Sequence, residues 1–338
     1  MRRSLALAVP LLLALTAACG GGTEAADVGQ GGLRSNEVPT KEAQVSGRYP
    51  LTGMPAVDPA KAARRAVAVK IDNSAAARPQ SGLEQADVIY EEFTEGITRF
   101  VVVFQSSDAA QVGPVRSVRP ADPNIVKPLG GPLVFSGGSP AVLGVVRAAG
   151  VTEVTENNKD VLRRRSGRTA PHNLYSTTDD LFRKAGAGAP PPVFSPYLRQ
   201  GQAYSPAGVT PATQLTLSPA PGVRANYEWD PGGSAWKRST DGRPHLLEGG
   251  AQISPRNVIV QYTAYPTFEQ DGKVRFPEVV GSGDAMVFVG GTQVKANWTK
   301  SAPGAVTTFV DSAGAPIPLA PGQTWIHLQE RGTAVTAS

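Results

Sequence analysis

Arg116 and Arg119 flank Ser117 in the segment Val112-Gly113-Pro114-Val115-Arg116-Ser117-Val118-Arg119. At a turn or helix start, two guanidinium groups so spaced can converge on one anion, and their planar donor forks match phosphate or carboxylate. Asp72 and Asn73 end an apolar run, and the end of a strand is a common place for site residues in layered α/β domains. Arg78 and Arg99 add two cations, and Glu91 and Glu92 add two carboxylates. Successive residues of a strand point to opposite faces, so only one of these glutamates can join a given site. The turn Ser136-Gly137-Gly138-Ser139-Pro140 precedes a helical stretch and would offer backbone N–H groups to an anion. His172, followed by Asn173, can act as acid, base or hydrogen-bond donor. Taken singly, each of these residues also fits an internal network in which arginines pair with Asp and Glu between layers and Pro171-His172-Asn173 closes a loop.

Other chemistries lack their residues. There is no phosphate-loop or dinucleotide fingerprint and no Gly-x-Ser-x-Gly elbow. His172, His245 and His327 have no metal-ligand spacing, so neither metal nor cofactor is expected. Ser139 before Pro140 reads as a helix cap rather than a nucleophile.

Cys19 is the only cysteine. Before it, Arg2 and Arg3 form a positive start, Leu5 to Leu15 an apolar stretch, and Thr16-Ala17-Ala18 a small-residue cleavage site. This is the layout of a secretory signal, 1–18. A thiol at the cut resembles a bacterial lipobox, although Thr16 stands where an aliphatic residue is usual. Cys19 is therefore the expected lipid-attachment site, and acyl chains there anchor the protein stably to the outer face of the cytoplasmic membrane. Plain secretion is the competing reading. Residues 19–48 are small and polar and read as a flexible tether.

The chain has 338 residues, 41% hydrophobic and 18% charged, enough for two domains with sizeable cores. The formal net charge of +5 loses Arg2 and Arg3 with the leader, leaving +3, too weak an excess to suggest nucleic acid. The basic cluster Arg163-Arg164-Arg165 with Arg168 reads as a solvated loop or as a contact to anionic lipid or wall polymer.

The elements that must position the polar residues follow from pattern. Ala66–Ile71, Ala86–Phe93, Phe100–Phe104 and Leu133–Phe135 are β-rich apolar runs. Ser139-Pro140 opens a helix to Ala149, Asp122-Pro123 offers a second start of the same type, and Thr178 with Leu181 and Phe182 a third helix. Residues 49–185 thus form a layered α/β-type domain, 186–208 a Pro/Gly-rich connector, and 209–338 a smaller β-rich domain: an α+β protein overall. In the last segment Leu215–Leu217, Val223–Trp229, Val258–Tyr262, Met286–Val289, Val294–Trp298 and Trp325–Leu328 read as strands, with Gly290-Gly291 as a hairpin turn. Tyr227, Trp229 and Trp236 fit core packing better than sugar stacking.

The ordered polar segments carry a resemblance. Lys70-Ile71-Asp72-Asn73, Ala77-Arg78-Pro79-Gln80-Ser81-Gly82, Ala86-Asp87-Val88-Ile89-Tyr90-Glu91-Glu92, Gly96-Ile97-Thr98-Arg99-Phe100, the Arg116–Arg119 segment, Ser136–Pro140 and Pro171-His172-Asn173-Leu174-Tyr175 together resemble the YerB family of bacterial lipoproteins. Tyr227-Glu228-Trp229-Asp230, Asn257–Gln261 and Pro321–Ile326 extend the likeness toward the C-terminus. It implies a two-domain envelope lipoprotein, α+β then β-rich, and brings no established activity. The expectation is a lipid-anchored protein that binds an anionic or glycan ligand through these residues. An envelope enzyme acting on glycan or phospho-linked polymers, or a scaffold for envelope partners, are the alternatives.

Overall fold

The computed structural model describes residues 47–272 and 274–338. The expected leader, Cys19 and all but the last two residues of the expected tether lie outside the described residues. The first part of the described chain holds β1 (Val67–Asp72), β2 (Val88–Thr94), β3 (Ile97–Phe104), β4 (Leu133–Val134), β5 (Glu153–Val154), β6 (Arg163–Arg164) and β7 (Leu174–Tyr175). Its helices are α1 (Pro59–Ala63), α2 (Asp122–Val126), α3 (Pro140–Ala149) and α4 (Thr178–Ala185). The second part is all strand: β8 (Thr210–Pro211), β9 (Gln214–Ala220), β10 (Val223–Asp230), β11 (Ala235–Thr240), β12 (Arg243–Pro244), β13 (Asn257–Thr263), β14 (Gly281–Val289), β15 (Thr292–Lys300), β16 (Thr308–Val310), β17 (Thr324–Glu330) and β18 (Val335–Ala337). This is an α+β fold of two domains.

The two parts build one sheet, ordered β16-β15-β14-β13-β17-β2-β3-β1-β4-β5 with β8 paired to β15. The join is β17, which lies parallel to both β13 and β2, with Trp325 opposite Ile259's neighbour Val258 on one side and Ile89 on the other. A second sheet, β12-β11-β10-β9-β18, covers one face of the first. Helices α2 and α3 cover the other. With both faces covered, central strands need apolar residues in both registers. β1 accordingly reads Val-Ala-Val-Lys-Ile-Asp and is buried throughout. Ala68, Tyr90 and Val101 pack with Ile125 and Val142 on the helix side. Val69, Ile89 and Val102 pack with Leu217, Tyr227 and Trp236 on the sheet side.

Local signals set the element ends. Ser139 Oγ accepts the Val142 N–H, Pro140 occupies the first turn of α3, and Gly150 closes the helix at φ +68°. Gly290 and Gly291, at φ +61° and +73°, form the β14–β15 turn, as a two-residue hairpin of primed type requires. Glu95-Gly96 makes the same kind of turn between β2 and β3, at φ +51° and +83°. The second helix start differs from expectation. Asp122 lies inside α2 and caps nothing through its side chain; Oδ1 meets Lys70 Nζ at 2.7 Å and Oδ2 accepts the Arg119 N–H. A buried cation competes successfully for the carboxylate that a cap would have used. In the connector, Val193, Phe194 and Tyr197 are buried against the helix-side core. Among the described residues no helix is long and apolar enough to cross a membrane.

Candidate functional site

The strands β1, β4 and β5 run parallel, and their carboxyl ends bring together most of the polar residues singled out above. Asp72 is the last residue of β1 and is fully buried. Its Oδ2 receives Arg116 Nε at 3.1 Å and faces His172 Nδ1 at 2.8 Å, while Oδ1 accepts the Ser74 N–H at 2.9 Å. Burial alone would raise its pKa; the Ser74 N–H, the His172 hydrogen bond and the Arg116 charge outweigh burial and hold it below the usual value. Asp72 is therefore a fixed anion that orients two cationic or donor side chains. Those two are not sealed in: Arg116 and His172 keep 25% and 21% of their side-chain surface exposed. Among the described residues the Arg116 terminal nitrogens and His172 Nε2 have no hydrogen-bond partner.

Across the strands, Asp72 pairs with Arg99 and Arg99 with Glu92, so three charged side chains form a row on the helix-side face. Arg99 turns to the Ser117 carbonyl at 3.2 Å and to Glu95 at 3.5 Å. Arg119 reaches the same Glu95, at 2.5 Å, and Thr94 Oγ1 at 2.9 Å. Burial, then the charges of Arg119 and Arg116, push the Arg99 pKa down to about 10. Three guanidinium groups thus crowd around Ser117, with Asp72 and Glu95 as their carboxylates. The β4–α3 turn lies beside them: Ser136 N–H donates to the Arg116 carbonyl and Val118 N–H to the Gly137 carbonyl. Glu95, Ser117, Arg119, Gly138 and Ser139 line a cavity of about 230 Å³ next to this cluster.

The remaining candidates lie elsewhere. Asn73 and Glu91 point to the sheet-side face, as alternation requires. Asn73 Nδ2 donates to Thr98 Oγ1, which donates to Glu91 Oε1. Arg78 joins Asn73, through Nε at 3.2 Å and Nη2 to its carbonyl at 3.0 Å, rather than the arginine cluster. The sequence cannot show this, because Arg78 leaves an irregular segment whose direction depends on tertiary packing. Glu91 pairs with Arg238 of β11 at 3.1 Å and accepts from Trp325 Nε1 at 3.0 Å. Tyr227 OH, which accepts from Arg238, lies 2.9 Å from His327 Nε2. Burial holds His327 at a pKa of about 3, so it is neutral and its Nε2 accepts from the phenol. Glu92 meets Lys70 on the opposite face, beside Asp122; burial pushes its pKa up to about 7 despite the lysine. Asn173 is tied to Arg164 and to the Arg168 carbonyl. The expected partnership of Asp72 with one of Glu91 and Glu92 in orienting the arginines does not occur; Glu95, from the hairpin turn, takes the glutamate's place.

Arg163, Arg164 and Arg165 each pair with a carboxylate, of Asp180, Glu156 and Glu248. Tyr227 and Trp236 are fully buried, in keeping with core packing. Among the described residues no group of three or more His, Cys, Asp or Glu side chains is placed to hold a metal ion.

The family model described as protein of unknown function (DUF3048) N-terminal domain matches residues 51–189, and its C-terminal counterpart matches 215–326. A Bacillus subtilis (strain 168) protein named "Putative lipoprotein YerB" is 29% identical over 289 residues, 83% of this chain and 86% of the relative. The crystal structure of YerB protein from Bacillus subtilis superposes with a TM-score of 0.73 at 25% identity, covering 86% of this chain and 99% of that one. The chain belongs to the YerB family, with both of its domains.

Proposed function

We propose that this YerB-family chain is an envelope protein, lipid-anchored at Cys19, that binds an anionic group of an envelope molecule at Arg116, beside His172. The relative's lipoprotein name and the leader ending at Cys19 support the anchor. One observation carries the binding site: Asp72 uses a single oxygen to fix both Arg116 and His172, leaving the outward donor fork of the arginine open. A guanidinium held by Nε presents its two terminal nitrogens in the geometry that suits phosphate or carboxylate. Arg99 and Arg119 add positive field, and Glu95 offsets only part of it. Asp271 also lines the adjoining cavity, so the direct partner of an arriving anion is the Arg116 fork rather than the summed charge.

The bound group is a phosphate or carboxylate carried on a glycan or wall polymer. Isothermal calorimetry on the mature full chain, with inorganic phosphate, glucose 1-phosphate and muropeptides as probes, tests this reading. Saturable binding by at least one probe, weakened about tenfold or more in Arg116→Ala, is expected from the loss of a charge-assisted hydrogen-bond pair. Absence of binding to all three, or equal binding by Arg116→Ala, contradicts it. Mass analysis of the mature N-terminus checks the anchor: a diacylglyceryl-modified Cys19 is expected, and an unmodified terminus refutes it.

A further inference from the structure

We infer that the Asp72–His172 pair is a general-base dyad and that the site cleaves a phosphodiester; this rests on the anion site proposed above. The argument begins with the ring nitrogens. His172 Nδ1 lies 2.8 Å from the Asp72 carboxylate. Asp72 is ionised, so Nδ1 carries the proton and donates. In the uncharged tautomer the lone pair then lies on Nε2, the nitrogen without a protein partner among the described residues. This is the tautomer that a carboxylate partner enforces in a working general base. A buried carboxylate behind Nδ1 also stabilises the imidazolium that forms when Nε2 takes a proton.

His172 and the other two histidines differ in this respect. His245 and His327 are buried at 3% and 0% exposure, and every ring contact they make is to other core groups. Only His172 combines a carboxylate at one nitrogen with an accessible second nitrogen. Arg116 shares the same Asp72 oxygen, so an anion on its fork sits next to the imidazole. One open guanidinium fork matches the single negative charge of a phosphodiester better than the double charge of a monoester.

The step balances with water as co-reactant. Nε2 accepts a proton from a water molecule as its oxygen bonds to phosphorus. The bond from phosphorus to one ester oxygen breaks, and the imidazolium returns its proton to the leaving alkoxide. The products are a phosphomonoester and an alcohol. Arg116 balances the charge that gathers on the non-bridging oxygens.

The test measures p-nitrophenolate release from bis(p-nitrophenyl) phosphate by the full chain, alongside calorimetric binding of dimethyl phosphate. Wild type is expected to turn over the ester. His172→Asn, which keeps a donor toward Asp72, should retain most of the dimethyl phosphate binding and lose about a hundredfold or more in rate, the range removed with a general base. Unchanged thermal unfolding of that variant shows that it folds. Binding without turnover in wild type, or equal turnover in His172→Asn, overturns the dyad while leaving the anion site standing. Failure of wild type to bind dimethyl phosphate overturns the phosphodiester assignment, and failure to bind inorganic phosphate, glucose 1-phosphate and muropeptides as well overturns the anion site beneath it.

Discussion

Replacing Arg238 by methionine should destabilise the protein by about 3–5 kcal/mol at pH 7.5, the loss typical when one partner of a buried ion pair is removed. Arg238 and Glu91 are both fully buried, with Nη1–Oε2 at 3.1 Å and Nη2–Oε1 at 3.2 Å. Arg238 also donates to Tyr227 OH at 2.7 Å and lies 4.8 Å from the Trp325 ring. Methionine keeps the volume and loses all of these polar contacts. Glu91 would retain Thr98 Oγ1 at 2.8 Å and Trp325 Nε1 at 3.0 Å, which do not neutralise a carboxylate in a dry core. The pH dependence separates lost charge pairing from lost packing. In the wild type, burial would raise the Glu91 pKa, but the Arg238 charge and the hydrogen bonds from Thr98 and Trp325 hold it below its usual value. That contribution is present above the unfolded pKa and fades as pH falls through the folded one. Without Arg238, burial governs and the pKa rises. Glu91 can then escape its penalty by protonating, by up to about 1.4 kcal/mol for each pH unit below the new value. The loss measured by urea denaturation should therefore shrink between pH 7.5 and pH 5, and Arg238→Met/Glu91→Gln should be less destabilised at pH 7.5 than Arg238→Met. A loss under about 1 kcal/mol, or one that is independent of pH, refutes the reasoning.

Asp87 is buried, accepts the Ser106 N–H at 2.8 Å, and has its pKa raised to about 6 by burial. Folded protein thus binds this proton more tightly than unfolded chain, so stability is highest below about pH 4 and falls by about 3 kcal/mol up to pH 6 from this group. Asp87→Asn should flatten that slope in denaturation curves taken across the interval, and an unchanged slope contradicts the assignment. Ser139→Ala removes the α3 cap to Val142 N–H and should lower stability by about 1 kcal/mol; a change in urea midpoint within error would contradict the capping role. A Cβ at Gly131 would lie 1.7 Å from the Ala66 carbonyl oxygen, a backbone atom that cannot swing aside, so Gly131→Ala should lower the melting temperature by several degrees or prevent folding. A melting curve matching wild type would show that the backbone there yields freely.

Local signals were the readable ones. Ser139-Pro140 named a helix start because a cap and a fixed φ act within four residues. Gly290-Gly291 named a turn because both positions need positive φ. The opposite aims of Glu91 and Glu92 followed from strand alternation alone. Asp72, Arg116 and His172 were all recognisable as candidates, but their meeting on one oxygen was not, since 44 and 100 residues separate them from Asp72. Lys70 was hidden in an apolar run, where its charge is balanced by Glu92 and Asp122 from other elements. Glu95 was not among the candidates, because nothing in its own neighbourhood marks its meeting with Arg119, 24 residues away. The strand β11, Ala-Trp-Lys-Arg-Ser-Thr, looked polar because its buried arginine finds its anion on the other sheet. The placement of β17 between β13 and β2 is set by long-range pairing, and no local pattern encodes it.

The site itself is best tested through the histidine resonances. The chain contains only His172, His245 and His327, and the last two are buried, so the imidazole region of a proton NMR spectrum isolates the residue in question. Titration of the full chain with dimethyl phosphate should move the His172 ring signals along a saturable curve, leave those of His245 and His327 in place, and need about tenfold more ligand or beyond in Arg116→Ala. A His172 signal that stays fixed through saturating ligand, or moves equally in Arg116→Ala, would contradict an anion site organised by Asp72.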